Sequence, residues 1–258
     1  MRAAVLGSPI AHSRSPQLHL AAYRELGLTD WTYDRIECTE AQLPDLVSGF
    51  GPEWVGVSVT MPGKFAALRF ATERTARAEL VGSANTLVRV DGGWRADNTD
   101  VDGVVGALGE VSGAAAVLGS GGTAPAAVVA LAELGVRELS IVARNASKAA
   151  SLVSLGEKLG VQTGWVALGE PLNSLGVVVN TLPADVAAQF ADTVADAAVL
   201  LDAIYNPWPT PLAVAVASAG GRVVSGLQML LNQAFAQVEQ FTGMPAPREA
   251  MAAALAAS

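Results

Sequence analysis

Val117-Leu118-Gly119-Ser120-Gly121-Gly122-Thr123-Ala124-Pro125 is the stretch whose reading decides the fold. A short apolar run, Ala114 to Leu118, precedes it, and a helical run, Ala126 to Leu134, follows. Gly119, Gly121 and Ala124 fit the pattern G-x-G-x-x-G/A. In that pattern the first glycine permits a tight strand-to-helix turn and the second lets a pyrophosphate approach the backbone. The small third residue lets helix and strand pack closely. Unpaired N–H groups at the helix start, carrying about half a positive charge, would then face phosphate. Pro125 suits a first helical turn, where a missing N–H costs nothing. Gly119, Ser120, Gly121, Gly122 and Thr123 are therefore the candidate phosphate-binding residues.

The chain around this turn alternates strand and helix signals. Upstream, Arg2–Gly7, Trp31–Glu37, Trp54–Thr60, Asn85–Val90 and Trp94–Asp97 read as strands, the last two as a hairpin about Asp91-Gly92-Gly93. Pro16 opens a helix with Leu18, Ala22 and Leu26 on one face, closed by Gly27. Thr39 with Gln42 suggests a capping box for a helix to about Phe50, and Arg74–Leu80 is helical. Downstream, strands are expected at Leu139–Val142, Val177–Val179, Val199–Asp202 and Arg222–Val224. Helices are expected over Val101–Leu108, about Ser147–Leu159 and Gly226–Phe241, with a last one starting at Pro247. This spacing predicts an α/β chain whose second unit is a doubly wound, parallel sheet.

Bulk properties narrow the function. The 258 residues carry a net charge of −8, with Lys and Arg scattered, which excludes a basic nucleic-acid face. One cysteine, Cys38, cannot form an internal disulfide, and no CxxC or histidine cluster offers a metal site. No apolar run approaches the roughly 18 residues of a membrane span. Met1 leads straight into a strand-like segment with no charged leader, so the expected location is cytoplasmic.

About twenty residues past the glycine turn, an NAD site would place an acidic residue on the ribose 2′-hydroxyl. Here the strand ends in Ala143-Arg144-Asn145, followed by Lys148. A guanidinium binds a 2′-phosphate that a carboxylate would repel, so NADP(H) is expected over NAD(H) by about ten- to a hundredfold. Four further polar segments stand at strand ends, where open α/β sheets hold ligands. They are Ser13-Arg14-Ser15, Thr60-Met61-Pro62-Gly63-Lys64, Ser83-Ala84-Asn85-Thr86-Leu87 and Asp97-Asn98-Thr99-Asp100. Singly, each could be a helix cap or a surface charge.

Together they match a family. The chain resembles shikimate dehydrogenase in Ser8–Pro16, Val59–Lys64, Ser83–Leu87, Asn98–Asp100, the glycine turn, Arg144–Ala149 and Gly226–Ala234. The resemblance implies an NADP-dependent oxidoreductase that interconverts shikimate and 3-dehydroshikimate on the route to chorismate and the aromatic amino acids. It implies a substrate domain of residues 1–100 plus 226–258 and a Rossmann-like NADP domain of residues 101–225, the C-terminal helices returning to the N-terminal domain. By motif, Ser13 and Ser15 would hold the substrate carboxylate, and Thr60, Asn85 and Gln233 the ring hydroxyls. Lys64 and Asp100 resemble the family's catalytic pair, Tyr205 matches a segment lining the site, Gly226 matches a backbone contact near the nicotinamide, and Ala203 is a further cofactor-binding candidate. Departures from the family pattern are Val101-Asp102 before Gly103, Ala143 and Asn145 around Arg144, Ala203 for Met, and Ser225 before Gly226. A broader quinate/shikimate dehydrogenase is the runner-up. A silent NADP(H)-sensing binder would have shed Lys64 or Asp100, and both are present. A homodimer is compatible with the sequence.

Overall fold

The computed structural model describes residues 1–172 and 175–256, which form two compact α/β units. The first comprises Met1–Thr99 and the chain from Leu230 onward, and the second comprises Asp100–Met229.

In the first unit the order is β1 (Arg2–Gly7), α1 (Ser15–Glu25), β2 (Thr32–Glu37), α2 (Leu43–Ser48), β3 (Trp54–Val59) and α3 (Lys64–Phe70). Then come β4 (Glu73–Arg74), α4 (Ala76–Val81), β5 (Thr86–Val90) and β6 (Gly93–Asp97). The sheet runs β2-β1-β3-β5-β6-β4. β1 lies parallel to both β2 and β3, while β3/β5 and β5/β6 are antiparallel. The β5–β6 hairpin closes on Asp91-Gly92, with Val90 opposite Gly93 and Gly92 at φ +82°. One face packs Leu6, Leu43, Val57, Leu87, Trp54 and Trp94 into a core.

Two expectations need correction here. Gln42 Oε1 accepts from the Thr39 N–H at 3.0 Å, but the Thr39 hydroxyl also donates to it, at 2.9 Å, instead of capping a helix amide. Only half the box forms, and Pro44 in the first turn starts the helix later, at Leu43. Arg74 lies in a short strand, and the helix begins at Ala76 because Thr75 caps it, its hydroxyl accepting from the Ala78 N–H at 3.1 Å.

α1 presents Leu18, His19, Ala22 and Tyr23 inward. His19 is fully buried, stacked on Tyr33 at 4.0 Å and near Phe241 at 5.6 Å, and neither ring nitrogen has a hydrogen-bond partner. Burial pushes its pKa from 6.5 down to about 3, with the nearby Gln237 amide pulling weakly the other way.

The second unit continues with α5 (Asp100–Leu108), β7 (Ala114–Leu118), α6 (Ala124–Glu133), β8 (Glu138–Ala143), α7 (Ala146–Lys158) and β9 (Gln162–Ala167). After these come β10 (Leu175–Asn180), α8 (Ala184–Ala187), β11 (Val199–Asp202), α9 (Pro211–Ser218) and β12 (Arg222–Ser225). Helix α10 (Gly226–Thr242) begins in this unit, and α11 (Arg248–Ala256) belongs to the first. The sheet runs β9-β8-β7-β10-β11-β12 and every pairing is parallel. Counted within the unit, that order is 3-2-1-4-5-6, the doubly wound arrangement with its switch point between β7 and β10. Leu118, Val142, Val178 and Leu200 on these strands are buried in one cluster with Leu212 and Val216 of α9. The α/β class and the Rossmann-like second unit are both borne out.

Candidate functional site

At the N-terminal end of α1, the Ser13 Oγ lies 3.3 Å from both the Ser15 Oγ and the Ser15 N–H. The loop carrying these serines is pinned by β2. Glu37 accepts from the Ser8 hydroxyl at 2.5 Å and the Ile10 N–H at 3.2 Å, and Arg35 donates to the Ser13 carbonyl at 2.7 Å. From the other side, Arg14 donates to the Leu255 carbonyl at 3.2 Å and Gln17 donates to that of Ala254. Ser15 also reaches Tyr33. Burial pushes that phenol's pKa up, and hydrogen bonds with Ser58 and Ser15 pull part of the way back.

Thr60 and Lys64 follow β3. The Thr60 N–H donates to the Leu6 carbonyl at 2.8 Å, and Gly63 turns back to the Thr60 carbonyl at 2.9 Å to start α3 at Lys64. Both side chains are half-buried, each followed in the chain by an exposed apolar residue, Met61 and Phe65 respectively. The Lys64 carbonyl accepts from the Ala84 N–H at 3.0 Å, which ties this segment to the next motif.

The Ser83–Leu87 and Asp97–Thr99 segments interlock because the hairpin register sets Thr86 against Asp97. Asn98 donates to the Ser83 carbonyl at 2.9 Å, and Asn85 Oδ1 accepts from the Thr99 N–H at 2.8 Å. Gln233 reaches the same place from α10, its Oε1 3.3 Å from Asn85 Nδ2. Thus Asn85 and Gln233, 148 positions apart, form one buried polar cluster.

Asp97 is a residue whose role the sequence did not reveal. The residue is 4 % exposed, and its carboxylate accepts from Thr75 at 2.7 Å, from Arg77 at 3.1 and 2.5 Å, and from Gln240 at 2.7 Å. Burial alone would raise its pKa. The Arg77 guanidinium, the Thr75 hydroxyl and the Asn98 N–H together outweigh that and hold the carboxyl below the usual range. The carboxylate therefore anchors the strand end from which Asn98 and Thr99 project. No spacing pattern could have signalled it, since its partners come from α4 and α10.

In the second unit Asp100 is buried as the first residue of α5. The glycine turn lies between β7 and α6. Gly119 sits at φ +106°, and a Cβ there would come within 2.6 Å of Thr181 Oγ1, so conformation and space both demand glycine. A Cβ on Gly121, by contrast, would meet no protein atom within 4 Å. That clear space stands before the α6 N-terminus, whose first turn has no acidic residue and no side-chain cap. β8 lies beside β7 with Val142 opposite Leu118, so Arg144 emerges at the strand end adjacent to the turn. Arg144, Asn145 and Lys148 are exposed, while Ala143 is buried. Asn145 spends its Oδ1 capping α7, accepting from the Ser147 N–H at 2.9 Å. The Ala143 carbonyl accepts from the exposed Trp165 indole at 3.0 Å, which fixes the start of this loop. An open glycine turn at a helix N-terminus beside two exposed cations fits a phosphorylated dinucleotide.

Ala203 and Tyr205 follow β11, where fully buried Asp202 accepts from Asn180 at 2.9 Å, Thr210 at 2.5 Å and the Ile204 N–H at 3.1 Å. Gly226 presses on this loop, since a Cβ there would lie 2.2 Å from the Ala203 carbonyl oxygen. Gly226→Ala is expected to destabilise the protein by about 1–3 kcal/mol, because backbone rather than a flexible side chain must move. Thermal unfolding checks this, and an unchanged Tm would mean that the Ala203 loop yields freely.

The family model for the shikimate dehydrogenase substrate binding domain matches residues 5–87, and that for the shikimate 5'-dehydrogenase C-terminal domain matches residues 226–256. The shikimate dehydrogenase (NADP(+)) of Methylobacterium radiotolerans is 39% identical over 96% of this chain and 93% of its own. The crystal structure of Mycobacterium tuberculosis shikimate dehydrogenase superposes with a TM-score of 0.95 at 74% identity, covering 99% of this chain and 98% of that one. The Thermus thermophilus enzyme, solved with NADP(H) and shikimate, gives a TM-score of 0.84 at 28% identity over 100% and 99% of the two chains. With the substrate-domain motifs and the Rossmann-like unit in place, these similarities over nearly the full length establish that the chain belongs to the shikimate dehydrogenase family.

Proposed function

We propose that this protein is an NADP-dependent shikimate dehydrogenase that interconverts shikimate and 3-dehydroshikimate. The observation that carries the reading is the pairing of two sites on one chain. One is a cluster of neutral donors and acceptors around Asn85 and Gln233, and the other is a glycine turn flanked by Arg144 and Lys148. The first suits a polyol, because buried amides and hydroxyls left unpaired by a deoxy analogue would penalise it. The second suits a dinucleotide carrying a 2′-phosphate.

Bound NADP supplies a nicotinamide ring that accepts hydride from the carbinol carbon. The chain's own residues do the rest. Ser13 and Ser15 hold the substrate carboxylate, and Thr60, Asn85 and Gln233 orient the ring hydroxyls. Lys64 Nζ and the Asp100 carboxylate take up the proton that the reacting hydroxyl must lose as hydride departs. Positioned acid–base groups of this kind contribute about 10² to 10⁴ in rate. Tyr205 lines the substrate pocket, and Ala203 and Gly226 contact the cofactor. Residues 1–100 with 226–258 form the substrate domain, and 101–225 the cofactor domain. The net charge of −8 supports a small-molecule enzyme with no nucleic-acid partner, and no described helix is long and apolar enough to cross a membrane. We place its work in the cytoplasm.

Initial rates with shikimate and quinate, each with NADP and NAD, test the assignment. Turnover fastest with shikimate and NADP is expected. Equal use of quinate would point to the broader enzyme, and no turnover with either substrate would refute the reading. Arg144→Ala should raise the KM for NADP by about ten- to a hundredfold while leaving that for NAD nearly unchanged. Equal losses for both cofactors would remove Arg144 from the 2′-phosphate.

A further inference from the structure

Gln237 lies one helical turn beyond Gln233 on α10, is 1 % exposed, and falls outside every motif that carries the family resemblance. Its Nε2 donates to the main-chain carbonyl of Asn85 at 3.1 Å and to Thr86 Oγ1 at 2.9 Å. Its Oε1 accepts from the Ser58 hydroxyl at 2.6 Å, which in turn accepts from the Tyr33 phenol at 2.6 Å. Thr86 passes its own proton to Asn85 Oδ1 at 2.8 Å.

The direction of this relay is forced. A main-chain carbonyl only accepts, so the amino end of Gln237 must face Asn85, and reversing the carboxamide would set two acceptors against each other. Ser58 must then donate to Gln237 and Tyr33 to Ser58. Thr86, accepting from Gln237, has its single proton for Asn85. A second anchor acts on the same atom, since the Thr99 N–H, which only donates, also meets Asn85 Oδ1 at 2.8 Å. With Oδ1 so engaged, Asn85 Nδ2 turns toward Thr99 Oγ1 at 3.0 Å and Gln233 Oε1 at 3.3 Å.

We propose that Gln237 is a positioning residue for substrate. By fixing the polarity of the buried relay from Tyr33 to Asn85, it makes the Asn85 carboxamide meet a substrate ring hydroxyl as a donor, the hydroxyl taking the Nδ2 proton that otherwise goes to Gln233 Oε1 at 3.3 Å. That hydroxyl must accept from Asn85 and donate its own proton elsewhere, which sets the sense of hydrogen bonding around the ring. This inference rests on the shikimate dehydrogenase reading of the site.

The test uses the full-length protein with Gln237→Met, which keeps length but has no amide, and Thr86→Val, which is nearly isosteric and cuts the relay one bond later. Each should raise the KM for shikimate about tenfold while kcat changes less than about threefold, the KM for NADP staying unchanged. The double variant should be about as impaired as either single one, because both interrupt one chain. Val238→Ala, a fully buried neighbour on the same helix, should lower stability without moving the KM for shikimate. Thr86→Val keeps the test open if Gln237→Met does not fold. Asn85→Ala is measured alongside. If it raises the KM for shikimate while Gln237→Met and Thr86→Val do not, or if their effects multiply, the relay is overturned and the site reading stands. If Asn85→Ala leaves that KM unchanged, the assignment of Asn85 to substrate fails and takes the relay with it.

Discussion

Replacing Lys64 by alanine is expected to lower kcat by about 10²-fold or more while leaving NADP affinity intact. The expectation follows from where the lysine is held. Its backbone starts α3 and accepts from the Ala84 N–H at 3.0 Å, so the segment is fixed by main chain and survives loss of the side chain. The ammonium belongs to the first unit and the glycine turn and Arg144 to the second, so removing it leaves the residues assigned to the cofactor in place. Steady-state turnover with shikimate, paired with a binding titration of NADP, separates the two quantities. Equal turnover in wild type and variant would take Lys64 out of the mechanism. A parallel loss of NADP binding would mean that the substitution disturbed more than one proton.

Acid is expected to destabilise the first unit through His19, from the ordinary histidine pKa downward. The folded-state pKa of His19 is about 3 against 6.5 in the unfolded chain, so between those values the unfolded state binds the extra proton. Stability is then lost as pH falls below about 6.5, at up to about 1.4 kcal/mol per pH unit, until about pH 3 is reached. Of the groups around the ring, Tyr23, Tyr33 and Phe241 supply no negative charge, and the Gln237 amide offsets the burial only in part. Asp97 acts in the same direction but later. Its depressed pKa adds stability above the ordinary value of 3.8 that is lost only below it. Urea unfolding between pH 7 and 4, followed by the fluorescence of buried Trp54 and Trp94, isolates the histidine's share. His19→Phe should flatten the slope in that interval, and an unaltered slope would show that another group carries the acid sensitivity.

The second unit was legible because its signals are local and repeated. Gly119, the strands Leu139–Val142 and Val199–Asp202, and the spacing between them specify a parallel sheet without help from distant residues. What escaped the sequence lacked a local signature. β9 is a half-exposed edge strand containing Gly164, with no clean alternation. α3 is seven residues long behind Pro62-Gly63, too short for helical periodicity. α9 reads Pro-Leu-Ala-Val-Ala-Val-Ala-Ser, an alternation that suits a strand, and is helical because Thr210 caps it and Pro211 sits in its first turn. In the candidate site, Ser13, Thr60, Lys64, Asn85, Arg144 and Gln233 were readable through motifs. Asp97 and Gln237 were not, because their importance lies in partners brought from several elements, which only coordinates can assemble.

The first unit takes its last helices from the far end of the chain, with α10 supplying Gln233 to Asn85, Gln237 to Thr86 and Gln240 to Asp97. During translation, therefore, all six of this unit's strands are exposed long before the helix that satisfies their buried amides and carboxylate exists. Residues 100–229 emerge in between and can mature first, although they were begun second. A ribosome that stops shortly before residue 230 would release a competent nucleotide fold joined to an unfinished substrate half, a product that quality control would meet as an aggregation hazard.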